Sequence, residues 1–159
     1  LWGPQKTGKT TFLRDRFPQS PYFDFLRTDL FLELSREPFR LRELLHARPV
    51  AQRKGPVILD EVQKVPLVLD EVQGLMEEEK MSFILCGSSA RKLIRGRGNL
   101  MGGRAWRHEM LPLTSGEIGD VDLLKALNNG LIPSHYAMGN ARWSLDAYAH
   151  EYLKEEVFA

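Results

Sequence analysis

The sequence predicts an α/β fold built on a parallel sheet, and three observations carry that prediction. Gly3-Pro4-Gln5-Lys6-Thr7-Gly8-Lys9-Thr10 matches the phosphate-binding loop pattern G-x-x-x-x-G-K-[ST] at every fixed position, and such a loop joins a buried strand to a helix. Pro56-Val57-Ile58-Leu59 and Met81-Ser82-Phe83-Ile84-Leu85-Cys86 are apolar runs without alternation, the pattern of parallel strands covered on both faces. Between them Val68, Val72, Leu75 and Met76 fall at helical spacing. A chance match to the loop arises in roughly one chain of this length in a few hundred.

Each fixed residue of the loop has a physical job. Gly3 and Gly8 allow backbone angles and a close approach that a Cβ would block, so that successive N–H groups can wrap a phosphate. Lys9 brings a point charge to the β- and γ-phosphates, and the Thr10 hydroxyl can ligate Mg²⁺. Lys6, Thr7 and Thr11 complete the predicted phosphate-binding set. Thr10 to Phe17 reads as a helix stopped by Pro18, its N-terminus adding a positive dipole end to the same phosphates. Only Leu1 and Trp2 precede the loop, whereas a strand of roughly five residues is expected there. The first strand is therefore expected to be truncated, and a targeting segment ahead of it stays open.

Further along, Pro18-Gln19-Ser20-Pro21 is a turn and Tyr22 to Leu26 a short aromatic strand. Asp29 to Ser35 and Phe39 to Ala47 read as helices separated by Pro38. The sequence Leu59-Asp60-Glu61-Val62-Gln63 recurs as Leu69-Asp70-Glu71-Val72-Gln73, so either acidic pair could be the site. Only the first pair ends a strand run. The second lies within helical spacing, so Asp70 and Glu71 are assigned to a helix surface. The apolar run ending at Cys86 closes with Gly87-Ser88-Ser89, a helical stretch opens at Ala90, and a glycine- and arginine-rich loop runs from Gly96 to Arg104. Ala105 to Leu111 reads as a last strand near an edge. Leu113 to Glu117 and Asp120 to Leu127 suggest short helices, and Ser144 is expected to cap a final helix with Leu145, Tyr148, Ala149, Tyr152 and Leu153 on its apolar face.

The 159 residues suit one domain with a sizeable core, and 43% hydrophobic with 27% charged residues is an ordinary globular composition. A net charge of +1 gives no global pull toward nucleic acid or anionic membrane, so a basic site has to be local. One cysteine, Cys86, excludes an intrachain disulfide and fits a reducing, cytoplasmic location. No apolar run approaches the ~20 residues that span a bilayer, so no membrane partner is expected. The four histidines lack ligand spacing, and Mg²⁺ is the one metal expected. Trp2, Trp106 and Trp143 read as core or interface residues.

Asp60, at the tip of a buried strand, is the natural support for Mg²⁺, and Glu61 beside it can orient or deprotonate an attacking water. The blander reading, a turn cap and a solvated acid, loses weight once a complete loop lies roughly fifty residues upstream. Ser88 and Ser89 sit at the next strand tip, where a hydroxyl can sense the γ-phosphate; an N-cap role for the helix from Ala90 is the equal alternative. Arg91, Lys92, Arg95, Arg97, Arg104 and Arg107 form a basic stripe, which makes DNA a secondary partner hypothesis.

The succession of the loop, Leu-Asp-Glu-Val-Gln-Lys-Val-Pro (59–66), Phe-Ile-Leu-Cys-Gly-Ser-Ser-Ala (83–90), Gly-Gly-Arg (102–104) and Leu-Pro-Leu-Thr (111–114) resembles the AAA+-type ATPases of bacteria and archaea. Within these it resembles the group in which the AAA domain is followed by an uncharacterised C-terminal domain. The resemblance implies a P-loop three-layer sandwich with a five-stranded parallel sheet in order 5-1-4-3-2, ATP with Mg²⁺ as ligands, and hydrolysis to ADP. It implies that Gly8, Lys9 and Thr10 hold phosphate and metal, that Asp60 supports the metal, that Glu61 activates water, and that Ser88 takes the sensor position. Arg104 falls where such proteins offer an arginine to a neighbour's nucleotide, which implies a homo-oligomer. The core is placed at 1–113 and a small helical extension at 114–159, the start of a missing C-terminal region. Cys86 departs from the pattern, standing where a threonine is expected. The leading function is an ATPase that drives a conformational change; the alternatives are a small-molecule kinase, disfavoured by Glu61, and a nucleotide-gated protein- or DNA-binding module with little turnover.

Overall fold

Three parallel strands, β1 (Tyr22–Asp24), β2 (Val57–Asp60) and β3 (Phe83–Leu85), form a sheet in the order β1-β2-β3. Tyr22 lies opposite Ile58 and Asp24 opposite Asp60 on one side of β2, and Val57 opposite Phe83 with Leu59 opposite Leu85 on the other. The computed structural model describes residues 1–49, 55–88, 105–152 and 154. They divide into two units, one of Leu1–Trp2 with Lys9–Glu109 and one of Gly3–Gly8 with Met110–Ala159.

In the first unit the sheet is covered on both faces, which is why β2 is buried along its whole length. Successive strand side chains point to opposite sides. Ile58 therefore packs with Leu13 of α1 (Lys9–Arg16) and with Cys86. Val57 and Leu59 point the other way, into a cluster with Leu34 of α2 (Thr28–Arg36), Leu41 and Leu45 of α3 (Arg40–His46), and Val72 and Leu75 of α4 (Val68–Glu78). By the same parity Asp60 shares the α1 face with Ile58, and this brings the strand tip to the start of α1. The recurrent pair Asp70 and Glu71 lies on α4, as its helical spacing predicts, with Glu71 accepting from Arg42 of α3 at 2.7 Å.

The expected five strands are not found: the sheet of the described residues has three. Trp2 makes single parallel bridges to Gly87 and to Glu109, and among the described residues Ala105 to Leu111 pairs only through that Glu109 bridge. One residue pair closes too few ladder hydrogen bonds to make a strand. Trp2 packs against the larger core cluster, whereas Trp106 and Trp143 are 90% and 84% exposed and belong to no core.

Among its described residues the second unit holds four helices after Met110: α5 (Ser115–Ile118), α6 (Leu123–Asn129), α7 (Pro133–Tyr136) and α8 (Arg142–Tyr152). Their starts are set by local chemistry. Thr114 and Glu117 close a capping box on α5, Asp122 accepts from the Lys125 N–H at the head of α6, and Pro133 opens α7. Ser144 does not cap the last helix, which starts two residues earlier, with the Arg142 N–H donating to Asn140 Oδ1 at 3.0 Å. Asn129 is buried and hydrogen-bonded at both ends, to the Met138 carbonyl and the Ala141 N–H. The helices expected within 113–117 and 120–127 are α5 and α6, and α7 had no periodic signal because it is a single turn. Among the described residues no helix is long and apolar enough to cross a membrane.

Burial of β2 between two helical layers makes its apolar residues the chief anchors of the first unit. Leu59→Ala is expected to lower the unfolding free energy by about 3 kcal/mol, whereas Leu26→Ala, at a 61% exposed position, should stay within about 0.5 kcal/mol. Urea unfolding of both variants checks the contrast.

Candidate functional site

At the tip of β2 Asp60 is only 3% exposed. A buried carboxylate is tolerated when its lone pairs are taken by donors. Oδ2 accepts from the Thr10 hydroxyl at 2.7 Å and from the Tyr22 hydroxyl, and Oδ1 accepts from the Glu61 N–H at 3.1 Å. Thr10 stands in the first turn of α1 and Tyr22 at the start of β1, opposite Ile58. Three elements thus converge on one carboxylate.

The surrounding groups respond to that burial. Burial, and then the hydrogen bond to Asp60, push the Tyr22 phenol well above its usual range, so it keeps its proton and remains a donor. Burial, followed by the Asp60 charge, likewise raises the Cys86 thiol, which makes it an inert core sulfur and not a nucleophile. Lys9 is buried, and burial lowers its pKa against the opposing pull of Cys86, Glu61 and Asp60.

Glu61 follows with φ 57° and ψ 40°, a left-handed conformation that costs a residue with a Cβ about 1 kcal/mol or more. It leads into the single 3₁₀ turn Val62–Lys64. Burial raises its carboxyl above the ordinary glutamate range, opposed by a hydrogen bond from Gln63, and a raised carboxyl is suited to accept a proton. The Gln63 amide nitrogen donates to Glu61 Oε2 and also to Ser88 Oγ, the latter at 3.1 Å. Lys9, Thr10, Asp60, Glu61 and Ser88, named from sequence, therefore lie within one connected set in the first unit.

The loop residues Gly3–Gly8 group with the second unit. Gly3 and Gly8 adopt φ of 151° and 96°, and at Gly8 the place of a Cβ meets nothing within 4 Å, an open side of the backbone that a ligand atom can fill. The Thr7 hydroxyl donates to the Pro4 carbonyl at 2.9 Å, so Thr7 shapes the loop through its side chain. Lys6 is exposed, 5.9 Å from the centre of the Tyr148 ring, and Thr11 is exposed on α1. Arg104, Ser89 and the basic residues Arg91, Lys92, Arg95 and Arg97 lie outside the described residues. Arg107 is exposed and paired with Glu109 at 2.6 Å.

Two residues of the set were not foreseen. Tyr22 read as part of an aromatic strand; no local signal marks its role, because it meets Asp60 only through the register of β1 beside β2, two positions before Asp24, which lies opposite Asp60. Gln63 read as part of a repeated string; the signal was a polar residue between Val62 and Val65, both of which are buried.

The donor set fits Mg²⁺ with a nucleotide phosphate. A hydroxyl and a carboxylate, 2.7 Å apart, are hard oxygen ligands of the kind that cation uses with one or two protein groups and phosphate oxygens. Among the described residues no cluster of three or more His, Cys, Asp or Glu forms a self-sufficient metal cage.

The family profile described as an AAA domain matches residues 1–119. No curated protein and no solved structure matches the chain.

Tyr22→Phe removes one of the donors that hold Asp60. The variant is expected to be less stable by about 1–2 kcal/mol at neutral pH, measured as a shifted urea midpoint with an unchanged m-value.

Proposed function

The chain belongs to the AAA domain family, and on that premise we propose that it binds ATP with Mg²⁺ and hydrolyses it to ADP, turnover driving a change of conformation. Membership implies nucleotide binding and hydrolysis in general. The finer reading rests on one observation above all: the 2.7 Å hydrogen bond from Thr10, in the first turn after the loop, to Asp60, with Glu61 next in the chain.

On this reading the backbone of residues 3–8 and the Lys9 ammonium bind the phosphate oxygens, as their motif requires. When bound, Mg²⁺ would neutralise phosphate charge. Thr10 supplies a ligand oxygen, and Asp60 holds and orients that hydroxyl. Glu61 takes a proton from a water whose oxygen bonds to the γ-phosphorus as the bond to the β–γ bridging oxygen breaks, and ADP leaves with that oxygen. Ser88 presents its hydroxyl to the γ-phosphate.

The proposal includes a sheet order of 5-1-4-3-2. It is supported by the order β1-β2-β3, which matches the 2-3-4 portion, and by the bridges of Trp2 to Gly87 and Glu109 at the places of the other two strands. It also keeps the core at 1–113 and the helical extension, which holds α5 to α8, at 114–159.

Binding and turnover separate the proposed roles. Lys9→Ala should weaken ATP binding, whereas Glu61→Gln should bind ATP nearly as the wild type does and hydrolyse it about 10²-fold more slowly. Equilibrium nucleotide titration and phosphate-release assays on both variants test this. A wild-type protein that holds nucleotide without releasing phosphate catalytically would instead be a nucleotide-gated binding module.

A further inference from the structure

Gln63 has no part in the chemistry described so far, yet its side chain joins two residues that do. Its amide nitrogen has two protons, and they go to Glu61 Oε2 and Ser88 Oγ. The orientation of the amide is fixed by chemistry: an ionised carboxylate only accepts hydrogen bonds, so the NH₂ end must face Glu61. The consequence is that Gln63 Oε1 is buried without a hydrogen-bond partner among the described residues. An orphaned acceptor is unfavourable, and it persists here on a rigid seat. Val62 and Val65, on either side, are fully buried, and the Val62 N–H donates to the Cys86 carbonyl at 3.1 Å, which ties the turn to the chain just beyond β3. Gly87 makes the room, since a Cβ there would stand 2.1 Å from Gln63 Oε1 and 2.8 Å from the Trp2 ring.

We propose that Gln63 is a positioning residue that sets the Glu61 carboxylate for its water and couples that setting to the Ser88 hydroxyl. This rests on the ATPase reading above. A glutamate on a left-handed residue at a strand end has several rotamers open to it. Holding one of its oxygens gives the other a defined direction, and a misplacement of about 1 Å can cost 10²-fold in rate. The Ser88 hydroxyl accepts from Gln63, which leaves its own proton for a different acceptor such as a phosphate oxygen. Contact of phosphate with Ser88 and placement of water by Glu61 then reach each other through one amide.

The test is a set of variants in the full chain, each read for nucleotide Kd, single-turnover rate and melting temperature. Gln63→Met keeps the length and removes both donors; Gln63→Asn keeps the amide on a shorter stem and guards against a misfolded methionine variant. The expected result is a rate lowered about 10- to 100-fold by Gln63→Met and less by Gln63→Asn, with Kd unchanged within about threefold. The double variant Glu61→Gln/Gln63→Met should be no slower than Glu61→Gln alone, because Gln63 acts through Glu61. Multiplying losses, a parallel loss of affinity and rate, or a faster rate in Gln63→Met would each overturn the positioning role. Wild-type turnover in Gln63→Met beside a slow Glu61→Gln would overturn it while leaving the ATPase reading intact. Equal turnover in wild type and Glu61→Gln would overturn both.

Discussion

A carboxylate buried at the end of a central strand has to be satisfied by donors, and the architecture of the first unit supplies them around Asp60. Its two oxygens take hydrogen bonds from Thr10 on α1, Tyr22 on β1 and the backbone of Glu61. Each donor fixes something further. Thr10 brings the head of α1 to the strand tip, Tyr22 locks the register of β1 beside β2, and the Glu61 N–H contact accompanies the left-handed turn that ends β2. The charge is costly to bury, and the same charge is what an oxygen-liganded divalent cation requires from its surroundings. Stability and the proposed chemistry therefore draw on one arrangement, in which polar side chains are held by apolar packing on both faces of the sheet.

That packing explains why the site is rigid where it needs to be. Ile58 faces Leu13 and Cys86, while Val57 and Leu59 face the cluster from α2, α3 and α4. The alternation leaves β2 with no freedom to slip by one residue, since a slip would turn Asp60 toward the apolar cluster. Beyond Asp60 the chain departs from the strand through Glu61 in a strained conformation, held by Val62 on the core and by Gln63 toward Ser88. The strain is local, and it falls on the residue given the proton-accepting role.

Much of this was legible from residue order. The unbroken apolar run before Asp60 marked a strand covered on both faces, and the helical spacing around Asp70 separated the repeated pair from the site. Glycine spacing with Lys9 and Thr10 marked the loop. Other features were not legible because they depend on pairing across strands or on single turns. Tyr22 reaches Asp60 only because β1 lies beside β2 in a particular register, which no local pattern encodes. Gln63 carries no periodic signal, and its amide matters through a residue twenty-five positions away. The first residues and Ala105 to Leu111 yield single bridges where strands were expected, because bridge partners at Trp2 and Glu109 are not extended into ladders. Ser144 had the right chemistry for a cap, but Asn140 lies closer to the true start of α8 and takes the N–H of Arg142.

On the proposed function, Asp60 links the phosphate loop's helix to a bound cation. Calorimetric titration of ATP, with Mg²⁺ and with the cation chelated, on wild type and Asp60→Asn, tests it most directly. Mg²⁺ is expected to strengthen binding in the wild type, and Asp60→Asn to lose about 10- to 100-fold of cation affinity while its binding of metal-free nucleotide barely changes. An Asp60→Asn protein whose ATP affinity responds to Mg²⁺ as the wild type's does would contradict it.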